Sequence, residues 1–177
     1  MMRITAIPFF LAGAISLNTA ATHAEEPVQT IAVERHGCLG ECLAYRFEVH
    51  SDGSGLFTGT NSTVTQGELP FSIAPDIWTE FRSALAPYRP RGNREIVPDH
   101  PRCRFLATDH PFVSVTWKDK DGTDSLRFYF GCRDPENETM SRVLSNAPDI
   151  LLVKALDDRF RPLDHLHFGP SALHGSD

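Results

Sequence analysis

Alternating apolar and polar positions predict a β-hairpin in the first third of the chain. Residues 44–50 place three large apolar side chains on one face and charged side chains or histidine on the other, which is the period of two of a half-buried strand. The Gly-rich residues 51–55 are a turn signal, and residues 56–60 supply the returning strand. Residues 30–35 are rich in β-forming residues and alternate from Ile31 through Val33, which predicts a further strand before the hairpin.

A second and clearer hairpin is predicted in the second half of the chain. Positions alternate through residues 111–117 and again through residues 125–130, and Asp121-Gly122 lies at the centre of the turn between them. Residues 68–73 form a short extended segment. Residues 87–111 hold five of the prolines and many charges, so we expect a long loop there.

Helical spacing of apolar side chains predicts three helices. Pro75 opens the first helix, because its fixed φ suits the first helical position, and apolar residues recur at helical steps until the next proline. Asp134-Pro135 caps a second helix over residues 136–146. Pro148 then begins a short third helix over residues 149–156, so we expect a break between the second and third helices.

The order of these elements predicts an α+β fold. We expect an antiparallel β-sheet built from two hairpins plus an N-terminal strand, with the two main helices packed on one face. The 177 residues are about the size of one domain. We place that domain at residues 25–156 and expect a flexible C-terminal tail over residues 157–177.

The N-terminus has the pattern of a secretory signal peptide. Arg3 precedes an apolar run over residues 4–17, and small residues lead to Ala24 just before two glutamates. The run is shorter than the ~20 residues that a spanning helix needs, so we expect cleavage after Ala24, with Ala21 as the competing position. Residues 1–24 are then the signal peptide. We expect the rest to be periplasmic or secreted, with no membrane association after signal removal.

Composition and charge narrow the range of partners. Apolar residues make up 41% and charged residues 23% of the chain, which is typical of a folded domain. The formal net charge is −6, and loss of Arg3 with the signal peptide makes it −7. This balance lacks the basic excess of proteins that bind nucleic acid. We therefore expect the partner to be a protein or small ligand of the cell envelope.

Four cysteines follow the predicted cleavage site, an even number that indicates disulfides in an exported protein. Cys38 and Cys42 are close in sequence, and the glycines around them allow a tight turn. The remaining pair is then Cys103 with Cys132, which flank the open end of the second hairpin. A catalytic dithiol is the weaker alternative, because thiol oxidoreductases use Cys-x-x-Cys at the start of a helix.

Metal sites are a further alternative, although we expect no metal and no cofactor. Four clusters invite a metal: His36 with Cys38 and Cys42; His100, Cys103 and His110; His165 with His167; and Asp119, Asp121 and Asp124. The first two lack the repeated short spacing of zinc ligands, and the third lacks a third ligand. The fourth lacks the 12-residue pattern of a calcium-binding EF-hand.

Catalytic motifs are missing from the sequence. No nucleophile elbow, phosphate loop, dinucleotide fingerprint or metalloprotease helix occurs, so we assign no catalytic residue. The alternative is a hydrolase-like enzyme that uses Asp109 and His110, with Ser114 nearby. The long loop also carries a basic segment that is a candidate contact for an anion or a partner, although pairing with surplus acids is the simpler interpretation. Its arginines are Arg89, Arg91, Arg94, Arg102 and Arg104.

The most distinctive sequence lies at residues 33–45, where a strand ending in Glu-Arg leads into Cys-Leu-Gly-Glu-Cys and then a tyrosine. This segment resembles the opening of the bacterial domain-of-unknown-function family 6438, and Asp52-Gly53 matches the turn that follows. The resemblance runs over residues 28–155, with departures at Leu39 and Leu43. It implies an exported domain but no chemistry. We therefore expect a disulfide-stabilised, non-catalytic binding or accessory module. The alternatives are a hydrolase-like enzyme and a metal or redox site at the first cysteine pair.

Overall fold

A computed structural model describes residues 28–40, 42–61 and 67–155, which form a seven-stranded sheet and two α-helices. The strands are β1 (Thr30–Arg35), β2 (Ala44–His50), β3 (Ser54–Asn61), β4 (Gly67–Ser72), β5 (Asn93–Ile96), β6 (Phe112–Asp119) and β7 (Gly122–Tyr129). The helices are α1 (Pro75–Leu85) and α2 (Glu138–Ala155). The predicted signal peptide and C-terminal tail lie outside the described residues.

The sheet has the strand order β4-β3-β2-β1-β6-β7-β5. Every neighbouring pair is antiparallel except β5 and β7, so the sheet is mixed. Both predicted hairpins are present, as β2–β3 and β6–β7. The α+β class is confirmed, but the expected count of two hairpins plus one strand was too small, because β4 and β5 extend the sheet at both edges.

The strand β5 lies within residues 87–111, which were predicted to be a loop. Three of its four residues are exposed and only Ile96 is buried, so the sequence carries no alternation over this segment. The strand forms because Ile96 pairs with Phe128 in the parallel ladder with β7. Both side chains are fully buried. Burial in the tertiary structure therefore overrides weak local preference.

One face of the sheet carries the hydrophobic core. Val33 lies opposite Phe47 of β2 and Val115 of β6, and Phe47 lies opposite Phe57 of β3. All four side chains are at most 1% exposed. Because strand side chains alternate between faces, this row defines the core side of the sheet. The helices add Ile77, Trp78, Phe81 and Leu85 from α1 and Met140, Leu144, Ala147 and Leu151 from α2 to the same core.

The first helix begins at Pro75 as predicted, but the second and third predicted helices are one. The helix α2 continues through Pro148 to Ala155. A proline inside a helix removes one backbone hydrogen bond. Ala147 and Leu151 lie on either side of the proline and are 1% and 0% exposed, so core packing holds both halves in place. Neither helix in the described part of the chain offers an apolar run sufficient to cross a bilayer.

Candidate functional site

Both predicted disulfides are present in the structure, and both lie at the same end of the sheet. Cys38 and Cys42 bond within the loop that joins β1 to β2, with Cα atoms 5.5 Å apart. Cys103 bonds to Cys132 with a Cα distance of 4.6 Å, joining the segment before β6 to the residues after β7. Arg35 ends β1 opposite Val113 near the start of β6, so antiparallel pairing brings these connections together. We call residues 36–40, 42–43, 103–111 and 130–134 the disulfide end.

Three large apolar side chains are displayed at the disulfide end. Leu39, Phe105 and Leu106 are 93%, 62% and 51% exposed. The backbone of Phe105 and Leu106 is nevertheless fixed. Arg133 N–H donates to Phe105 O at 2.7 Å, and Leu106 forms an isolated antiparallel bridge with Cys132. Phe105 and Leu106 are therefore held in solvent by ordered backbone, while Leu39 lies inside the loop that the Cys38–Cys42 disulfide closes. Exposed aromatic and apolar side chains of this kind are candidates for contact with another molecule.

A buried carboxylate fixes the loop that carries Phe105. Asp134 is 1% exposed and accepts hydrogen bonds from Phe105 N–H at 3.1 Å and from Arg104 Nε at 2.9 Å. Burial raises the pKa of Asp134, but the hydrogen bonds from Phe105 and Arg104 outweigh it and hold the pKa below its ordinary value. Asp134 is therefore ionised at neutral pH and ties Phe105 and Arg104 to the segment that follows β7.

Asn137 makes a second tie beneath the same loop. Its side chain is buried, and its Nδ2 donates to Arg102 O at 2.6 Å and to Cys132 O at 3.3 Å. The Arg102 guanidinium reaches Glu136, with Nε 3.3 Å from Oε2. The side-chain amide of Asn137 thus links the carbonyl that precedes Cys103 to the carbonyl of Cys132, its disulfide partner. The loop that presents Phe105 is held by a covalent bond, a carboxylate and an amide together.

The five arginines of the predicted basic segment do not form one site. Arg89 lies at the opposite end of the sheet, where it donates to Asp119 at 2.7 Å and to Asp124 at 2.6 Å. Arg91 and Arg94 are exposed and form no ion pair with the described residues. Arg102 and Arg104 lie beside the disulfide end and pair with acids. The simpler interpretation, pairing with acids, therefore describes Arg89, Arg102 and Arg104.

The proposed hydrolase pair is not assembled around Ser114. His110 Nε2 lies 3.2 Å from the Arg133 guanidinium, and Asp109 is an exposed residue with a φ of 60° in the turn. Ser114 Oγ instead lies 3.1 Å from Nε2 of His36. The other ring nitrogen of His36 lies 3.5 Å from Glu34 Oε1. Serine, histidine and carboxylate are thus connected in the order of a nucleophile, a base and an orienting acid.

This Ser-His-Glu chain lies on the solvent face of the sheet. One row of polar residues crosses all seven strands there: Glu95, Arg127, Ser114, Glu34, Arg46, Thr58 and Glu68. Arg46 extends the network, with its guanidinium 3.7 Å from Glu34 and 2.6 Å from Glu48. The side chains of His36 and Glu34 are 39% and 42% exposed, so water screens these charges.

Sequence reasoning missed the Ser-His-Glu chain because its members are far apart. His36 and Ser114 are 78 residues apart, and they meet only because β1 pairs with β6. A weak signal was present, since Glu34 and His36 are two residues apart and so fall on the same face of an extended segment. The sequence could not show which strand would lie beside them.

The clusters proposed as metal sites have other partners in the structure. The four cysteine sulfurs are bonded in pairs, and Asp119 and Asp124 hold Arg89. Within the described residues, no three side chains of His, Cys, Asp or Glu come together in a group that could hold a metal ion. His165 and His167 lie outside the described residues.

Comparison with protein families gives one match. The model described as "Domain of unknown function (DUF6438)" matches residues 29–148, which is more than half of the chain and includes all seven strands and both disulfides. Neither the curated proteins nor the solved structures gave a match.

Proposed function

The chain belongs to the DUF6438 family, and from the geometry of its disulfide end we propose that it is an exported, non-catalytic binding module that docks a protein partner there. The observation that carries this proposal is the exposure of Leu39 and Phe105, at 93% and 62%, on backbone held by disulfides. Ordered apolar side chains lose little conformational entropy when a partner covers them.

The charges around these side chains indicate the chemistry of the partner. Arg104 is 69% exposed while its Nε is held by Asp134, so its guanidinium is presented in a fixed position beside Phe105. His110 and Arg133 lie on the same end. Aromatic and arginine side chains are those that dominate binding energy in protein interfaces. We propose a partner segment with an apolar residue flanked by carboxylates, which the exposed guanidinium of Arg133 would complement.

Export is supported by the N-terminal signal pattern and by the two disulfides, since oxidising compartments maintain such bonds. The envelope is therefore the proposed location of the partner. N-terminal sequencing of the protein recovered from the envelope fraction tests this step. A chain that begins at Glu25 is expected, and a chain that retains residues 1–24 in the cytoplasmic fraction would contradict it.

Serine substitutions at two exposed positions test the binding surface. We expect Leu39→Ser with Phe105→Ser to weaken partner capture from envelope extract by about 30-fold or more, the effect of losing an aromatic anchor. Val28→Ser is the matched control, because Val28 is 52% exposed but lies at the opposite end of β1. Equal capture by the double variant and the control would overturn the proposal.

A second candidate function rests on the Ser114–His36–Glu34 chain. His36 is placed to accept the Ser114 hydroxyl proton, and the serine oxygen could then attack an acyl or phosphoryl centre. A fluorophosphonate probe tests this directly, because attack forms an oxygen–phosphorus bond and releases fluoride. Labelling of the chain that is lost in Ser114→Ala and His36→Ala but kept in Ser125→Ala would support a hydrolase. No labelling of the chain would exclude a nucleophilic serine.

A further inference from the structure

Residues 105–107 form a short piece of antiparallel β-structure with residues 131–133 at the disulfide end. Two backbone hydrogen bonds of 2.7 and 2.8 Å join the two segments, one on each side of Leu106. Leu106 itself lies opposite Cys132 as an isolated antiparallel bridge. The outer segment is therefore one more edge of β-structure beside the seven-stranded sheet.

The backbone groups of Leu106 point away from the segment to which it is bridged. Opposite residues in an antiparallel ladder alternate between pairs that exchange hydrogen bonds and pairs that do not, and the second kind turns its N–H and C=O outward. Leu106 belongs to the second kind, because its two neighbours make the bonds. Its N–H and C=O form no hydrogen bond within the described part of the chain. Leu106 is 51% exposed, so it presents one donor and one acceptor side by side.

Apolar side chains lie on both faces of this edge. Successive side chains of an extended backbone point to opposite faces, and Phe105 and Leu106 are 62% and 51% exposed. A strand laid along the edge would therefore contact one side chain on each face. Unpaired backbone edges of this kind accept extended peptides, whose main chain supplies hydrogen bonds while alternate side chains supply specificity.

From these observations we infer that the partner contributes an extended peptide segment that adds as a strand along the edge at Leu106. The inference rests on the proposed function and specifies how the partner is held. One residue of the segment exchanges two hydrogen bonds with Leu106, and adjacent apolar side chains cover Phe105 and Leu106. The exposed Arg133 guanidinium contacts His110 at 3.2 Å and forms no ion pair with the described residues. A carboxylate beside the apolar residues would complement it.

Selection from a phage library of random linear peptides tests this inference with defined probes. Selected peptides are resynthesised, and their affinities are measured by fluorescence polarisation. Leu106→Pro should bind at least about fivefold more weakly than Leu106→Ala, because both lose the leucine side chain and only proline also loses the N–H. Proline is tolerated on strand edges where the N–H faces solvent, so both variants should unfold at the same urea concentration.

A third variant separates the inference from the proposed function. Phe105→Ser should weaken the same peptides by about tenfold or more, because it removes the aromatic anchor. Loss of affinity in Phe105→Ser with equal affinities for Leu106→Pro and Leu106→Ala would overturn strand addition and leave the proposed binding surface standing. If no selected peptide depends on Phe105, both fail.

Methylation of the peptide backbone gives a readout that does not depend on the folding of a variant. Each backbone nitrogen of a selected peptide is methylated in turn. Neighbouring N–H groups of a strand point to opposite edges, so methylation should abolish binding at the residue that pairs with Leu106 and be tolerated at the residues on either side. Equal sensitivity at neighbouring positions would contradict strand addition. A dimer of the chain alone that Leu106→Pro disrupts would assign the edge to a second copy and would also overturn the inference.

Discussion

Removing the buried disulfide should destabilise the protein more than removing the partly buried one. Cys103 and Cys132 are 29 residues apart in sequence, whereas Cys38 and Cys42 are 4 apart. A cross-link limits the conformational entropy of the unfolded chain, and the effect grows with the closed loop. Loops of these lengths correspond to about 3.5 kcal/mol for the long-range bond and about 2 kcal/mol for the short one.

Packing adds to the difference between the two disulfides. Cys103 and Cys132 are 6% and 2% exposed, so alanines at these positions leave space in the core, while Cys38 and Cys42 are only partly buried. We therefore expect the Cys103→Ala/Cys132→Ala variant to lose at least about 1.5 kcal/mol more stability than Cys38→Ala/Cys42→Ala. For a domain of this size the difference corresponds to a Tm roughly 5 °C lower.

Urea unfolding followed by circular dichroism measures both free energies of unfolding. The dependence of the unfolding free energy on urea concentration should be the same in both variants, because two-state analysis requires similar surface exposure on unfolding. Equal losses in the two double variants, or a larger loss without the short loop, would refute the reasoning. That result would mean that the connection between the second hairpin and its preceding loop is not what holds the disulfide end.

Three further outcomes follow from the same contacts. The low pKa of Asp134 means that its ionised form stabilises the fold above the unfolded pKa of 3.8, and that this contribution is lost as the pH falls toward the lower folded pKa. Asp134→Asn should therefore flatten the acid side of a plot of unfolding free energy against pH, and an unchanged plot would contradict this. A Cβ at Gly131 would collide with a backbone carbonyl of the neighbouring segment and with a tyrosine ring. Gly131→Ala should therefore lower the free energy of unfolding in urea by about 2–3 kcal/mol, and Gly37→Ala, where nothing lies within 4 Å of the added Cβ, should lower it far less. Mild reductant followed by alkylation and mass analysis should open the partly exposed Cys38–Cys42 bond first, and prior opening of the buried disulfide would be the contrary result.

Much of the fold could be predicted from local pattern, and the exceptions have clear causes. The strands β2 and β6 alternate strongly because one face is buried against the core. The strand β5 has one buried residue and no alternation, so only its pairing with β7 reveals it. Pro148 suggests a helix break by its chemistry, whereas packing of the residues around it decides the outcome.

In the candidate sites too, features set by local sequence could be predicted and features set by strand pairing could not. The disulfide pairing could be predicted because close spacing fixed one pair and left the other. The exposure of Phe105 and the contact between His36 and Ser114 could not be predicted, since both depend on strands that are distant in sequence. The basic segment likewise looked continuous in sequence. The chain places Arg89 and Arg104 at opposite ends of the sheet because β5 runs parallel to residues 125–128 of β7 between them.

Site-specific photo-cross-linking tests the claim that the disulfide end binds a protein partner. A benzophenone side chain is placed at Phe105 in one variant and at Val28 in another, because both positions are exposed and lie at opposite ends of the sheet. After irradiation in envelope extract, we predict a discrete adduct of higher mass from the Phe105 variant and none from the Val28 variant. The same adduct from both variants, or an adduct only from Val28, would contradict the account.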